Sequence, residues 1–328
     1  MSTMKAIVIE KFGEPDVLTV KDVPKPEPKP GFVLIQVKAF GVNHAEMHMR
    51  KGEWAESMPI SGIECVGVVE ACLGNEFTPG TKVAALMGGL GRAINGSYAQ
   101  YTLAPVNNVT KIDVDLPWET LAAIPESFAT AWTCLFRNLE LKLGQTLLIR
   151  GATSALGQAA LKLAVNAGAK VSATSRNESR FPMLKAMGAA EVILEQQDLA
   201  QRLHQANHPK FDTVLNLVGN SVLLETLTVI RRGGRMCLAG FLGGLAPVAD
   251  FNPLAQMASG VHFSFFGSFV FGTPEFPVSD VPLEDVVRDV AEGRLSVKPA
   301  RVFAFEEIRE AHHLMEKSQA GGKMVVVV

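Results

Sequence analysis

The chain has 328 residues, with 31 Lys and Arg against 33 Asp and Glu, which gives a formal net charge of -2. No global positive field draws such a chain to phosphates or to an anionic membrane, so we expect no nucleic-acid partner. Apolar residues make up 48 % of the chain, yet no run approaches the roughly 18 consecutive apolar residues that a membrane span needs. The first residues also lack the basic and apolar regions of a secretory signal peptide. We expect a soluble, cytoplasmic protein of roughly two domains with no membrane contact.

The four cysteines are scattered along the chain at Cys65, Cys72, Cys134 and Cys237. They form no C-x-x-C pair and lack the clustered spacing of a structural zinc site. We interpret them as buried apolar thiols, which excludes a disulfide scaffold.

The first part of the chain has the pattern of an all-β domain. Short segments, several rich in Val and Ile and most bounded by Pro or Gly, predict strands at 5–10, 32–39, 65–71, 82–86 and 98–103. Between the first two, VPKPEPKPG alternates proline with charge and predicts a stiff, extended surface connector.

From Gln145 the pattern changes to strand, helix, strand. The apolar runs predict strands at 146–150, 169–175, 190–194, 211–219 and 235–240. The amphipathic segments between them predict helices at 157–167, 180–187, 198–206 and 223–230. This alternation is typical of a doubly wound parallel sheet with helices on both faces, an architecture that binds nucleotides.

The end of the chain returns to mixed structure. After Gly260 comes the strongly apolar VHFSFFGSFVFG, and a helix is predicted at 283–293. A second helix at 305–317, a glycine stop and a final strand at 324–328 follow.

A loop of small residues, GATSALG at 151–157, joins the first strand of the alternating region to its helix. In that position the free N–H groups and the positive end of the helix dipole can receive a pyrophosphate. Ala152, Ser154 and Gly157 occupy the spacing of G-x-G-x-x-G, so the third glycine alone is intact. Thr153, Ala155 and Leu156 complete the expected phosphate-binding loop.

The end of the second strand of this region predicts which dinucleotide is bound. An NAD-binding chain places an Asp or Glu there for the ribose 2′-hydroxyl, whereas this chain has Ser175 and Arg176, with Arg180 close behind. Between residues 170 and 185 four Lys or Arg face one Glu, a local excess of three positive charges. Arginine pairs well with a 2′-phosphate, so we expect NADPH.

Segments along nearly the whole chain resemble the medium-chain dehydrogenase/reductase superfamily, in its zinc-free, zeta-crystallin-like quinone oxidoreductase and enoyl reductase branch. They are, in order, MKAIVIEKFGEPDVL, GVNHAE, PISGIECVGVVEA, GSYAQY, GATSALG, GRMCLAGFLGG and EAHHLMEKSQAGGKMVVVV. The resemblance implies an α/β fold: a GroES-like, β-rich substrate domain at 1–122 and 295–328, with a Rossmann NADPH-binding domain at 123–294 inserted into it. It also implies a homodimer.

The resemblance further implies that no metal is bound. Where zinc-dependent members carry a cysteine ligand this chain has Asn43, and where they carry a histidine ligand in G-H-E it has Ile63. An amide and a hydrocarbon cannot hold Zn²⁺. Without a Lewis acid, hydride delivery to an acceptor that is already electrophilic is the easier chemistry.

The resemblance assigns roles to individual residues. Asn43 is expected to position the acceptor and the nicotinamide, and His44 to lie near the pyrophosphate. Thr130 and Val218 are expected beside the cofactor, and two backbone stretches are expected near the nicotinamide: Ala239, Gly240, Phe241 and Leu242, and Phe266, Gly267 and Ser268. An apolar acceptor pocket is expected from Met47, Trp54 and Trp132.

Three functions remain open at this point. The first is a zinc-independent, NADPH-dependent oxidoreductase that delivers a hydride to a small-molecule quinone or α,β-unsaturated carbonyl. The second is an enoyl-thioester reductase of a polyketide or fatty-acid pathway, and the third is a non-catalytic NADPH-binding protein. Acceptor size depends on loop conformations, so the sequence does not separate the first two.

Overall fold

The protein, described by a computed structural model over residues 2–328, divides into two compact units. One runs to Ala129 and resumes at Ser268, and the other is Thr130–Gly267. The boundaries expected from the sequence, 122/123 and 294/295, stay a prediction. The α/β fold class, with a GroES-like and a Rossmann part, is confirmed.

Fifteen strands and ten α-helices are described. The strands are β1 (Thr3–Ile9), β2 (Leu18–Pro24), β3 (Phe32–Val42), β4 (Glu64–Cys72), β5 (Lys82–Leu86), β6 (Tyr101–Pro105), β7 (Val109–Lys111), β8 (Thr146–Arg150), β9 (Lys170–Ser175), β10 (Glu191–Leu194), β11 (Phe211–Asn216), β12 (Ile230–Leu238), β13 (His262–Phe265), β14 (Arg301–Ala304) and β15 (Met324–Val327). The helices are α1 (His44–Lys51), α2 (Trp118–Leu121), α3 (Pro125–Trp132), α4 (Ala155–Asn166), α5 (Phe181–Ala186), α6 (Leu199–Gln205), α7 (Leu223–Thr228), α8 (Pro253–Gln256), α9 (Leu283–Ala291) and α10 (Ile308–Glu316). None of the helices in residues 2–328 combines the length and the apolarity that crossing a bilayer requires.

The first unit is built around a seven-stranded sheet in the order β14-β15-β3-β4-β5-β7, with β6 also paired to β3. Apart from the parallel β14 and β15, its neighbouring strands are antiparallel. The last strand, β15, lies beside β3 with Met324 opposite Val42, so the C-terminal segment completes this sheet. A separate two-stranded sheet joins β1 to β2, a strand that the sequence analysis did not predict.

The second unit is a six-stranded parallel sheet in the order β10-β9-β8-β11-β12-β13. The predicted alternation is confirmed, with element ends shifted by a few residues. The strand order reverses between β8 and β11, and in open α/β sheets ligands bind outside the carboxyl ends of the strands at such a reversal. The loop that follows β8 is therefore the place to look for a cofactor.

All four cysteines are buried, as predicted. Tyr98, a candidate acid by residue type alone, is also fully buried in the first unit, where its ring stacks on Phe40 with centroids 4.5 Å apart. Burial raises the pKa of Tyr98 well above its ordinary value. Its hydroxyl lies 3.1 Å from Nε2 of the buried His312, so both side chains belong to the core.

Replacing His312 by Gln is expected to reduce the amount of folding stability that the protein loses in acid. Burial and the Arg50 charge lower the pKa of His312 to about 3, below the unfolded value near 6.5, so its stabilising contribution is present above pH 6.5 and is lost as pH falls toward 3. Between pH 7 and pH 5 this group costs the native protein roughly 2 kcal/mol. Urea unfolding at both pH values should show a smaller loss for His312→Gln, whereas the exposed His262→Gln should keep the native loss.

Candidate functional site

The loop after β8 is closed by the N-cap of α4. Ser154 caps this helix: its Oγ accepts from the Gly157 N–H at 3.1 Å and donates to the Gly151 carbonyl at 2.9 Å. The Ser154 hydroxyl is therefore used inside the loop. Position 157 requires glycine for steric reasons, because a Cβ there would lie 2.5 Å from the Gly151 carbonyl oxygen and 2.7 Å from the Ala152 Cα.

The backbone N–H groups of Thr153, Ala155 and Leu156 make no hydrogen bond within residues 2–328. They lie in the loop and the first turn of α4, a twelve-residue helix, at the positive end of its dipole. Backbone donors of this kind are a ready site for a pyrophosphate. These three N–H groups are free to bind an anionic group.

The end of β9 presents two unpaired arginines. Within residues 2–328 the side chains of Arg176 and Arg180 make no hydrogen bond or ion pair, and Arg176 is exposed. Ser175, in contrast, is buried, and its Oγ is bonded to the backbone of Asn177 at 3.0 and 3.1 Å. The two guanidinium groups, rather than the serine hydroxyl, are available to an anionic ligand.

The loops after β11 and β12 are tied to each other beside the β8 loop. Leu242 N donates to the Leu217 carbonyl at 3.2 Å, and Gly243 N donates to the Val218 carbonyl at 2.7 Å. Val218, Ala239, Gly240, Phe241 and Leu242 lie in these two loops, and their expected contact with a cofactor stays a prediction. After β13, the buried Phe266 donates through its N–H to the Leu238 carbonyl at 2.9 Å, with Gly267 next in the chain. Ser268 belongs to the first unit.

A network of buried ionic side chains is connected by hydrogen bonds to the first residue of the β8 loop. Arg150, the last residue of β8, is fully buried and pairs with Glu195 and, at 2.6 Å, with Glu225. Glu195 also accepts from the Thr174 hydroxyl at 2.6 Å, and Thr174 Oγ1 accepts from the Gly151 N–H at 3.1 Å. Hydrogen bonds thus run without interruption from Arg150 to the first residue of the loop.

In the first unit, polar side chains gather where β3 ends and α1 begins. Asn43, the N-cap of α1, donates through Nδ2 to Glu64 Oε1 at 3.0 Å and to Glu46 Oε1 at 3.3 Å. Its Oδ1 accepts from the Lys323 ammonium at 2.6 Å, and Lys323 also binds Glu64. We call these four residues the Asn43 cluster.

The carboxylates of the Asn43 cluster are held by backbone donors. Glu46 accepts from the N–H of Asn43 at 2.6 Å and of Ile63 at 3.1 Å, and Glu64 accepts from the N–H of Glu126 at 2.8 Å. Burial raises the pKa of Glu46 to about 7, against the opposing effect of the Lys323 charge. With both carboxylates fully buried, these donors replace the water that folding removes.

The remaining predicted residues are distributed over the two units. In the first unit, His44 is exposed at the start of α1, Met47 is half-buried on α1, and Trp54 stacks on His48 with ring centroids 5.3 Å apart. In the second, Thr130 is buried on α3, and Trp132 packs against Phe136 at 5.7 Å.

Each of the two units resembles a domain of known proteins. Residues 29–114 match the alcohol dehydrogenase GroES-like domain, and residues 155–283 match the family described as zinc-binding dehydrogenase. Quinone oxidoreductase of Homo sapiens is 29 % identical over 99 % of this chain and 98 % of its own length. The chain belongs to the medium-chain dehydrogenase/reductase superfamily, in its quinone oxidoreductase branch. It is an oxidoreductase.

Two further proteins are similar to this superfamily member. The crystal structure of a quinone oxidoreductase from Pseudomonas syringae pv. Tomato DC3000 superposes with a TM-score of 0.87 at 25 % identity, covering 99 % of this chain and 100 % of the other. Squalestatin tetraketide synthase of a Phoma species is 27 % identical over 90 % of this chain and 11 % of the synthase.

The donor set of this oxidoreductase does not fit the zinc site of its metal-dependent relatives. In residues 2–328 no group of three or more His, Cys, Asp or Glu side chains is arranged to hold a metal ion. At the two positions where zinc-dependent members carry ligands, Ile63 is a buried hydrocarbon and Asn43 is hydrogen-bonded to Lys323, Glu46 and Glu64.

Sequence reasoning did not assign four polar residues of this oxidoreductase to its candidate sites: Glu46, Arg150, Glu195 and Lys323. Three of the four, Glu46, Arg150 and Lys323, carried a signal. Glu46 stands three residues after Asn43, the spacing of a capping box. Arg150 and Lys323 are single charges beside strand segments that are otherwise apolar, TLLIR and KMVVVV, where a charge needs a partner to be buried. The partners lie far away in sequence, so the signal shows that a partner exists without showing which one.

Proposed function

We propose that this chain is a zinc-independent, NADPH-dependent oxidoreductase that reduces a quinone or an α,β-unsaturated carbonyl. The observation that carries the proposal is the Asn43 cluster. Where metal-dependent relatives hold a Lewis acid, this chain has the Asn43 amide. That amide is hydrogen-bonded to the ammonium of Lys323 and to the carboxylates of Glu46 and Glu64. An enzyme without a Lewis acid is suited to acceptors whose conjugated oxygen already spreads the incoming charge.

The cofactor proposal rests on two features of the second unit. The free N–H groups of Thr153, Ala155 and Leu156 suit a pyrophosphate, and the space kept by Gly157 lets the loop pack against its helix. Arg176 and Arg180 offer two unpaired guanidinium groups at the end of β9 to a 2′-phosphate.

Replacing both Arg176 and Arg180 by Ala is expected to weaken NADPH binding by about tenfold or more, because each charge-assisted bond to a phosphate contributes on the order of 1.5–3 kcal/mol. NADH affinity should change less than twofold. Fluorescence titration with each dinucleotide measures both constants. Lys185→Ala, which removes a charge from the same segment, is the matched control and should leave the preference intact. An equal loss for NADPH and NADH would contradict the assignment.

When bound, NADPH supplies the hydride of the reaction. The chain's own part is to bind and to align. Backbone groups at Ala239 to Leu242 and at Phe266, with Val218 and Thr130, would orient the nicotinamide, and His44 would lie near the pyrophosphate. Met47, Trp54 and Trp132 would give the acceptor apolar contacts, and Asn43 would fix the reacting groups through its amide. The buried Tyr98 is not available as an acid.

A second candidate function is reduction of an enoyl thioester, favoured by the likeness to a segment of the Phoma tetraketide synthase. NADPH oxidation measured with 9,10-phenanthrenequinone, with simple enones and with crotonyl-CoA separates the candidates. Turnover of the quinone or the enones is expected, and activity on the acyl thioester alone would support the second candidate instead. Thermal stabilisation by NADPH without turnover of any acceptor would indicate a non-catalytic binding protein.

Incubation with a metal chelator is expected to leave the activity unchanged, because the donors at positions 43 and 63 do not suit zinc. The same NADPH-oxidation assay, run after dialysis against the chelator and again with added Zn²⁺, measures this. A loss that zinc restores would overturn the proposed zinc independence.

The proposal includes a homodimer in the cytoplasm. Strand β13 lies at the edge of its sheet, and its Phe263 and Phe265 are 39 % and 52 % exposed, which supplies apolar surface for a second copy. Light scattering at several concentrations tests the dimer, and a monomer throughout would refute it.

A further inference from the structure

Lys323 makes a contact that the proposed function does not use. It precedes β15, and because Met324 pairs with Val42, it is carried to the end of β3 where Asn43 follows. Its side chain is 6 % exposed, and its ammonium donates to Asn43 Oδ1 at 2.6 Å and to Glu64. A lysine is buried to this extent when its charge is partnered, and here one of the two partners is a neutral amide.

The charges around Asn43 permit one orientation of its amide. Nδ2 faces two carboxylates, Glu64 at 3.0 Å and Glu46 at 3.3 Å, while Oδ1 faces the ammonium of Lys323 at 2.6 Å. Turning the amide over would place its oxygen against both carboxylates and its N–H groups against the ammonium. The contacts with Glu64 and Lys323 would then become repulsive, so these two charges fix the orientation.

This orientation limits what Asn43 can recognise. Both hydrogens of Nδ2 are used, whereas Oδ1, with two lone pairs, has one donor among residues 2–328. Asn43 can therefore receive one more hydrogen bond and can give none. The group that it receives must be a donor, such as a hydroxyl, and not a carbonyl oxygen.

We propose, building on the proposed function, that Lys323 is a positioning residue that acts through Asn43, holding its amide as an acceptor for a hydroxyl of the bound cofactor or of the reduced product. The space for this arrangement is provided by Gly41 on β3. A Cβ on Gly41 would lie 2.8 Å from Lys323 Nζ, and closer still to Glu64 Oε1. Gly41 has no positive φ, so its backbone conformation does not require glycine. The absence of a side chain at Gly41 leaves space for the ion pair between Lys323 and Glu64.

A double-mutant cycle between Lys323→Met and Asn43→Ala tests this directly. In the native background, Lys323→Met is expected to lower kcat/KM for the acceptor by about tenfold or more, since charge-assisted hydrogen bonds contribute on this scale. In the Asn43→Ala background the same change should have less than a twofold effect, because the residue it acts through is gone. Equal losses in both backgrounds would show a merely structural lysine and would overturn the proposal.

Two binding measurements on the same four proteins identify the hydroxyl. Coupling in the dissociation constant of NADPH assigns the hydroxyl to the cofactor, and coupling found solely in inhibition by the hydroquinone product assigns it to the product. Coupling in neither overturns the proposal. Because NADPH binding needs no turnover, a protein that binds NADPH but reduces no acceptor would refute the proposed function while leaving this test intact.

Lys323→Met leaves the buried Glu64 without its cation, so folding must be controlled. Gly41→Ala displaces the ammonium without removing any charge and is expected to give the same coupling to Asn43. Lys323→Arg should recover part of the activity, and the exposed Lys317→Met should behave as the native protein. If Gly41→Ala lowers the melting temperature but its effect on kcat/KM persists in full in the Asn43→Ala background, the role of Lys323 is structural and the proposal fails.

Discussion

Replacing Arg150 by Met is expected to lower the free energy of unfolding by about 3–5 kcal/mol, the usual cost of removing one partner from a buried ion pair. Arg150 has no exposed surface, and the Glu195 carboxylate that it binds belongs to a residue that is 9 % exposed. Methionine fills much of the volume and leaves that carboxylate without a counter-charge. Urea unfolding followed by circular dichroism measures the loss, with the change in midpoint as the readout.

The same substitution should also weaken NADPH binding, because Glu195 connects Arg150 to the loop after β8 that we propose binds the cofactor. Glu195 holds the Thr174 hydroxyl at 2.6 Å, which in turn receives the Gly151 N–H at 3.1 Å. When Glu195 turns toward water to recover its solvation, the support of Gly151 is lost with it. We expect the dissociation constant of NADPH to rise by about tenfold, the equivalent of one net hydrogen bond of about 1.4 kcal/mol.

Two variants distinguish this mechanism from a general loss of an arginine. Arg150→Met with Glu195→Gln removes the more deeply buried of the two carboxylates that Arg150 pairs with, and it should recover part of the stability. Arg235→Met breaks the ion pair with Glu140, which is partly exposed, and should cost about 0–1 kcal/mol. If the double variant is as unstable as Arg150→Met alone, the buried charge is not the cause.

The parallel-sheet unit was predictable because its information is local. Each apolar run and each amphipathic segment carries its own period, and glycines mark where one gives way to the next. The β-rich unit was harder: β2 was missed, since LTVKDVP alternates weakly and its pairing with β1 is a contact between separate segments. The start of β6 was placed three residues early, at Tyr98, because Tyr98 and Ala99 have strand-like composition. In the structure Tyr98 lies in a bend and Ala99 forms a single bridge to Ala6.

The candidate site divides in the same way. The loop at 151–157 and the arginines after β9 could be located from their positions relative to a strand and a helix. The hydrogen-bonding state of each residue could not, because it depends on partners distant in sequence. The hydroxyls of Ser154 and Ser175 are hydrogen-bonded to neighbouring backbone groups, and the Asn43 amide is hydrogen-bonded to Glu64 and Lys323. Local sequence predicts which residues lie at a site, and tertiary contacts decide which of their atoms remain available.

Replacing Gly157 by Ala is expected to reduce the affinity for NADPH by tenfold or more, at about 1.4 kcal/mol for each factor of ten. The new Cβ would lie 2.5 Å from the Gly151 carbonyl oxygen and 2.7 Å from the Ala152 Cα, and both are backbone atoms that no rotamer change can move. The start of α4 must therefore shift away from the loop. That shift misplaces the free N–H groups of Thr153, Ala155 and Leu156 on which pyrophosphate binding would depend.

The sign of the change in folding stability on Gly157→Ala distinguishes a steric clash from ordinary helix propensity. Alanine in a helix is intrinsically favoured over glycine by about 0.5–1 kcal/mol, so a helix position with room for Cβ would become more stable. At Gly157 the clash should reverse that sign. Gly293→Ala is the matched control, because its φ of +76° imposes backbone strain while open space surrounds its Cβ, far in sequence from the loop. It should lose stability and keep its NADPH affinity. A Gly157→Ala protein with a raised melting temperature and an unchanged dissociation constant would show that the loop tolerates the side chain, and that close packing of α4 on β8 is not what shapes the cofactor site.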